Sequence, residues 1–180
     1  DAVDTIADGI ATRRVGGQPF AVIRERVDEV IFGVDDARLE SAIVDLLREQ
    51  SLTVAVAEIA TGGLLSGWLT DADPVGDVFK GGWVLPQDAF WAFDEETAPA
   101  GDDATRTQQL AARARTVTRA DTALSVINIG PDETHIAVLT DDQFHERSIR
   151  FRGHGSHAHT WIASLALDLL RRLRLGLDLA

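Results

Sequence analysis

The run Leu52–Ala57, read LTVAVA, constrains the fold more than any other stretch, because it is apolar on both alternations and bounded by polar residues. Such a strand needs cover on both faces, which places it inside a sheet layered by helices. Helical spacing precedes it: Leu39, Ala42, Ile43, Leu46 and Leu47 fall on one stripe, with Asp35 or Asp36 placed to cap the first turn. Thr61-Gly62-Gly63 then opens a second helix through Leu64, Leu65, Trp68 and Leu69, and Val78 to Leu85 reads as a strand. Residues 86–101 show no clean period and read as loop. A helix at 102–119 follows, then strands at 122–129, 134–140 and 145–151, the last two antiparallel about Asp141-Asp142. A closing helix at 156–174 carries Trp161, Ile162, Leu165, Ala166, Leu169, Leu170 and Leu173 on its apolar face. This order predicts an α/β fold, a three-layer αβα sandwich with a mostly parallel central sheet plus an antiparallel pair.

Residues 1–34 read differently. Two helix-like pieces, 2–13 and 21–31, are broken at Gly16-Gly17-Gln18-Pro19, so this stretch is expected to be a helical arm or the remnant of a preceding domain. Its apolar positions, including Ile6, Ile10, Val22, Ile23, Val27 and Ile31, need cover, and the expected solution is a homodimer or other homo-oligomer. The α/β domain is expected to span 35–180.

Composition removes several chemistries. With no cysteine and no tyrosine, the 180-residue chain has no thiolate, no Cys-containing zinc or iron–sulfur site, and no phenolic acid or base. A formal net charge of -12 argues against nucleic acid as a partner. No apolar run reaches the roughly 18 residues of a membrane span, and the first residues lack the basic start of a signal peptide, so no membrane partner and a cytoplasmic location are expected. Methionine is absent as well, so the chain is expected to be either processed or a fragment of a longer protein, the second being the preferred reading. Arg171, Arg172 and Arg174 fall at the end of the closing helix, where the helix dipole favours cations.

In an open α/β sheet, ligands bind beyond the carboxyl ends of the strands. Two segments leave such ends here, Glu58-Ile59-Ala60-Thr61-Gly62-Gly63 and Asn128-Ile129-Gly130-Pro131-Asp132. Free amides at the helix start favour an anion. The expected ligand-binding set is therefore Glu58, Thr61, Gly62, Gly63, Gly130, Pro131 and Asp132, around a small anionic or nucleotide ligand, with no cofactor. His154, His157 and His159 have an H-x-x-H-x-H spacing that could bring two imidazoles to a metal ion beside Asp132; the plainer reading is a polar loop and first helical turn in solvent. His135 and His145 are scattered and carry no functional spacing.

The motifs also resemble a known family. LTVAVAEIATGGLLSGWLTD, residues 52–71, is similar to the L-T-x-A-x-A-E-S-C-T-G-G block of the carboxy-terminal domain of CinA, the competence/damage-inducible protein. VFKGGWV, NIGPDETHIAVL and the closing ALDLLRRL follow in the family's order, and IFGVDDARLESAIVDLLRE resembles its lead-in. The resemblance implies nicotinamide mononucleotide deamidation, by an amidohydrolase that uses the serine of that block with a tyrosine and a lysine from the next one. Carried over residue by residue, the serine position is Ile59, the tyrosine position Pro86 and the lysine position about Trp91. The family's G-D-R reads Gly153-His154-Gly155, and a later family arginine falls near His159. These departures imply a catalytically degenerate copy acting as a binding, regulatory or assembly module. An active amidohydrolase using Thr61 with Glu58, or a His-bound metal, is the alternative.

Overall fold

The computed structural model describes residues 39–59, 61–86, 102–128, 133–141, 143–150 and 156–177. The chain divides into two units, Asp1–Val34 and Asp35–Ala180. The arm expected at 1–34, the caps Asp35 and Asp36, and all but the first residue of the loop expected at 86–101 lie outside the described residues.

In chain order the second unit runs α1 (Leu39–Glu49), β1 (Val54–Glu58), α2 (Leu64–Ala72), β2 (Phe79–Val84), α3 (Asp103–Thr118), β3 (Thr122–Asn128), β4 (Glu133–Thr140), β5 (Gln143–Arg150) and α4 (Ser156–Leu175). The sheet order is β2-β1-β3-β4-β5. β1 pairs in parallel with both neighbours, β4 is antiparallel to β3, and β5 is antiparallel to β4, so β4 alone runs against the rest.

β1 is buried along its whole length, and alternation divides its side chains between two layers. Ala55 and Ala57 join Leu110, Ala111 and Ala114 of α3 in one core. Val54, Val56 and Glu58 face the opposite layer, built from α1, α2 and α4. On β2 a glycine lets α2 approach closely. A β-carbon added at Gly82 would lie 2.2 Å from Ser66 Oγ and 2.8 Å from Val56 Cγ2, so α2 sits where it does because position 82 has no side chain. Lys80 is skipped in the β1–β2 register, which passes from Phe79 to Gly81, and Gly81 takes up this irregularity at φ 132.

Two helices differ from their sequence patterns. On α1 the buried residues are Leu39, Ile43, Val44 and Leu47; Ala42 is exposed and Leu46 half-buried, so the packed stripe is rotated toward Val44. α4 is buried on all sides from Ile162 to Leu170, because it lies between the sheet and α1 and α2. That burial includes Asp168, 2% exposed, whose carboxylate takes Arg171 at 2.7 Å and Arg172 at 2.6 Å. Among the described residues, no helix is long and apolar enough to cross a membrane.

Candidate functional site

β1 ends on a buried carboxylate. Glu58 is fully buried, and each of its oxygens accepts two hydrogen bonds. Oε2 takes the Thr61 hydroxyl at 2.5 Å and the Leu65 amide at 3.0 Å. Oε1 takes the Ser66 amide at 2.8 Å and the Ser66 hydroxyl at 2.5 Å. All four donors are uncharged. Leu65 and Ser66 lie in the first turn of α2, where backbone amides have no intrahelical acceptor and the helix dipole is positive. Glu58 thus reaches forward across its own turn to cap the next helix. Gly63, the residue before α2, supplies no side-chain cap.

This overturns one sequence expectation. The α2 amino terminus was read as holding free amides for a ligand anion, but two of those amides are taken by Glu58. Glu58 is accordingly a structural acceptor with no lone pair left over, and Thr61, 2% exposed, is committed to it.

The exposed part of the turn is glycine. Gly62 at φ 64 and Gly63 at φ 93 sit in the left-handed region, so the chain reverses direction here without a β-carbon to clash. A β-carbon at Gly62 would meet His159 Nδ1 at 3.8 Å, and one at Gly63 would meet Val84 Cγ2 at 3.3 Å. The rim is therefore formed by backbone from the β1–α2 turn, an exposed imidazole from the first turns of α4, and the end of β2. The His159 contact was not legible from spacing, because α4 and α2 are distant in sequence.

The other candidates separate. Ile59 continues the Ala55, Ala57 alternation and packs half-buried against the α3 core, with its amide on the Val126 carbonyl at 2.9 Å. Pro86 is exposed two residues past β2. His157 and His159 are both exposed on one helix, two positions apart, and residues so spaced point to different sides. The two-imidazole metal arrangement therefore does not form between them, and no metal-sized group of three acidic or imidazole ligands occurs among the described residues. Trp91, Gly130, Pro131, Asp132 and His154 lie outside the described residues.

The closing arginines stand away from this rim. Arg174 reaches the Thr122 hydroxyl at 2.5 Å, at the opposite end of β3, and Asp141 at 3.3 Å. A strand of seven residues separates the two rims by about 20 Å.

Comparison with known proteins gives one family throughout. Residues 36–90 match the model of the CinA C-terminal domain. A putative competence-damage inducible protein of Caldicellulosiruptor bescii is 31% identical over 166 residues, covering 83% of this chain and 40% of that protein. A CinA-like protein of Frankia casuarinae is 33% identical over 162 residues, covering 82% of this chain and 37% of that protein. The chain thus spans about two fifths of the length of these relatives. Among solved structures, the competence/damage inducible protein CihA of Agrobacterium tumefaciens superposes with a TM-score of 0.66 at 23% identity, covering 81% of this chain and 99% of that one. A CinA superfamily protein of Klebsiella pneumoniae gives 0.69 at 18% identity, with 79% and 99% covered. At these identities the structures speak for the fold.

Proposed function

Because the chain belongs to the CinA C-terminal domain family, we propose that its α/β domain is a ligand-binding, regulatory or assembly module that keeps the family scaffold without amide-cleaving chemistry. Deamidation of nicotinamide mononucleotide, the activity the resemblance implies, needs a nucleophile that reaches the carboxamide carbon, a base to take its proton, and donors for the oxyanion. The observation that carries the reading is the saturation of Glu58. The Thr61 hydroxyl and the two first-turn amides of α2, the nearest nucleophile and oxyanion donors, are all spent on that one buried carboxylate. Ile59, at the position of the family serine, offers only hydrocarbon and faces the α3 core.

In this reading a small anionic or nucleotide ligand rests on the exposed Gly62-Gly63 backbone between His159 and Val84. Ammonia release from nicotinamide mononucleotide tests the claim, and no release above a protein-free blank is expected. Release that rises in proportion to protein and disappears on unfolding overturns it. The hydrogen bond from Thr61 to Glu58 favours a second reading, an amidohydrolase with Thr61 as nucleophile and Glu58 as base. Only in that reading does Thr61→Val abolish a measured turnover. Self-association through residues 1–34 belongs to the same proposal, and light scattering of the full chain should then return a multiple of 19.5 kDa.

A further inference from the structure

On the α3 side of the sheet, away from the Glu58 turn, we propose a second reactive centre in which Ser148 is a nucleophile and His135 its base, cleaving small activated esters through an acyl-serine. The β4–β5 register sets His135 directly opposite Ser148, and the Ser148 hydroxyl lies 2.9 Å from His135 Nδ1. Directly opposed residues share a face. That face is the α3 face, because Leu139, two places along from Ala137 and four from His135, is in the α3 core. Ser148 is exposed, so an ester can reach its oxygen, whereas His135 is half-buried and held beside α3.

The surroundings fit the chemistry. A cavity of about 10 Å³ adjoins the pair, lined among others by Ala104, Thr107 and Glu146. That is room for about one water or for a methyl-sized acyl group. Glu146 neighbours His135 diagonally on the same face and is hydrogen-bonded by Gln108 of α3. Asp102, the cap of α3, is held below the usual carboxylate range chiefly by its bonds to Thr105 and, less strongly, by the charge of His135. Glu146 and Asp102 thus place carboxylates on the side of the sheet that carries His135. Ala104, in the first turn of α3, lines the cavity, and its amide, which has no intrahelical acceptor, is the donor available to an oxyanion there.

In the reaction, Ser148 Oγ attacks the ester carbonyl carbon as its proton passes to His135 Nδ1. The tetrahedral intermediate collapses with loss of the alcohol, which takes that proton from His135, leaving an ester on Ser148. Water then attacks this ester, again giving its proton to His135, and the acid departs as Ser148 recovers its proton.

The test uses the full chain and 4-nitrophenyl acetate, with nitrophenol release followed by absorbance and the acyl adduct located by peptide mass spectrometry. The expected result is acetylation at Ser148 ahead of the other serines, with a rate that falls at least about tenfold in Ser148→Ala and in His135→Gln. Circular dichroism checks that both variants fold. A rate unchanged in Ser148→Ala would mean that an imidazole acts alone, and adducts spread evenly over the serines would mean ordinary surface chemistry. Either result overturns the proposal.

Discussion

Two buried carboxylates, one at the end of β1 and one within α4, solve the same problem by different means. Asp168 is 2% exposed and is held by two guanidinium groups, Arg171 and Arg172, one turn along its own helix. Glu58 is fully buried and is held by four neutral donors at a helix amino terminus. The first arrangement answers charge with charge; the second answers it with oriented dipoles. The difference matters for function. Permanent cations near Asp168 remain partly exposed and can rehydrate if the carboxylate is lost, whereas the Thr61 hydroxyl and the Leu65 amide beside Glu58 are buried and have nowhere else to turn. The first turn of α2 is thus capped by an anion that belongs to the chain, which leaves a ligand only the Gly62-Gly63 backbone beside it.

The comparison breaks most severely at Glu58. Glu58→Ala leaves two amides and two hydroxyls without their acceptor, and should lower stability by about 3 kcal/mol or more in urea unfolding. Formate added to this variant should recover part of the loss, since a free carboxylate can enter the vacated place. No recovery, with a loss under about 1 kcal/mol, would mean that the four bonds do not act as described. Asp168→Ala should cost less, about 2 kcal/mol, because Arg171 and Arg172 are 18% and 19% exposed and can turn to water. A larger loss at Asp168 than at Glu58 would reverse the comparison.

Gly82→Ala sharpens it from a distance. The new methyl would press on Ser66 Oγ and Val56, moving α2 and with it one oxygen's donors on Glu58. Overpacking of this kind should cost about 1–3 kcal/mol, less than removing Glu58 itself. Gly67→Ala, on the same helix with open space at its β-carbon, is the control and should cost nothing.

The smallest effect concerns acid. Asp77 is pulled from 3.8 to about 2, first by its hydrogen bond to Arg48 and then by Asp73. A depressed carboxylate contributes stability above its unfolded value and loses it as pH falls through the folded one. Asp77→Asn should therefore flatten the fall in thermal midpoint between about pH 4 and pH 2. Because this cluster is exposed, added salt should shrink the difference. An unaltered acid profile would show that Arg48 does not depend on Asp77.

Much of this architecture was readable in advance, and the reasons are local. LTVAVA announces a strand covered on both faces, and every described element falls within two residues of its expected bounds, apart from the start of α1, before which the residues lie outside the described ones. Thr61, Gly62 and Gly63 were singled out because glycines before an apolar helical run have few explanations. The role of Glu58 was misread, because a carboxylate at a strand end looks the same in sequence whether it faces a ligand or turns back on its own chain. Ser66, which gives Glu58 two of its four bonds, lies mid-pattern in a helix and carries no signal. The rotated stripe of α1 escaped because Val44 and Ala42 fit a helical period equally well. The nearness of His159 to Gly62 and the bond between His135 and Ser148 depend on how α4 lies and how β4 registers with β5, which no local spacing encodes.

Proton NMR of nicotinamide mononucleotide incubated with the full chain tests the central claim most directly, because one sample reports both binding and conversion. The account predicts broadened or shifted ligand resonances that revert when the protein is removed, and an unchanged spectrum of the recovered ligand after prolonged incubation. Growth of nicotinic acid mononucleotide signals, faster with more protein and absent after heat unfolding, would contradict it.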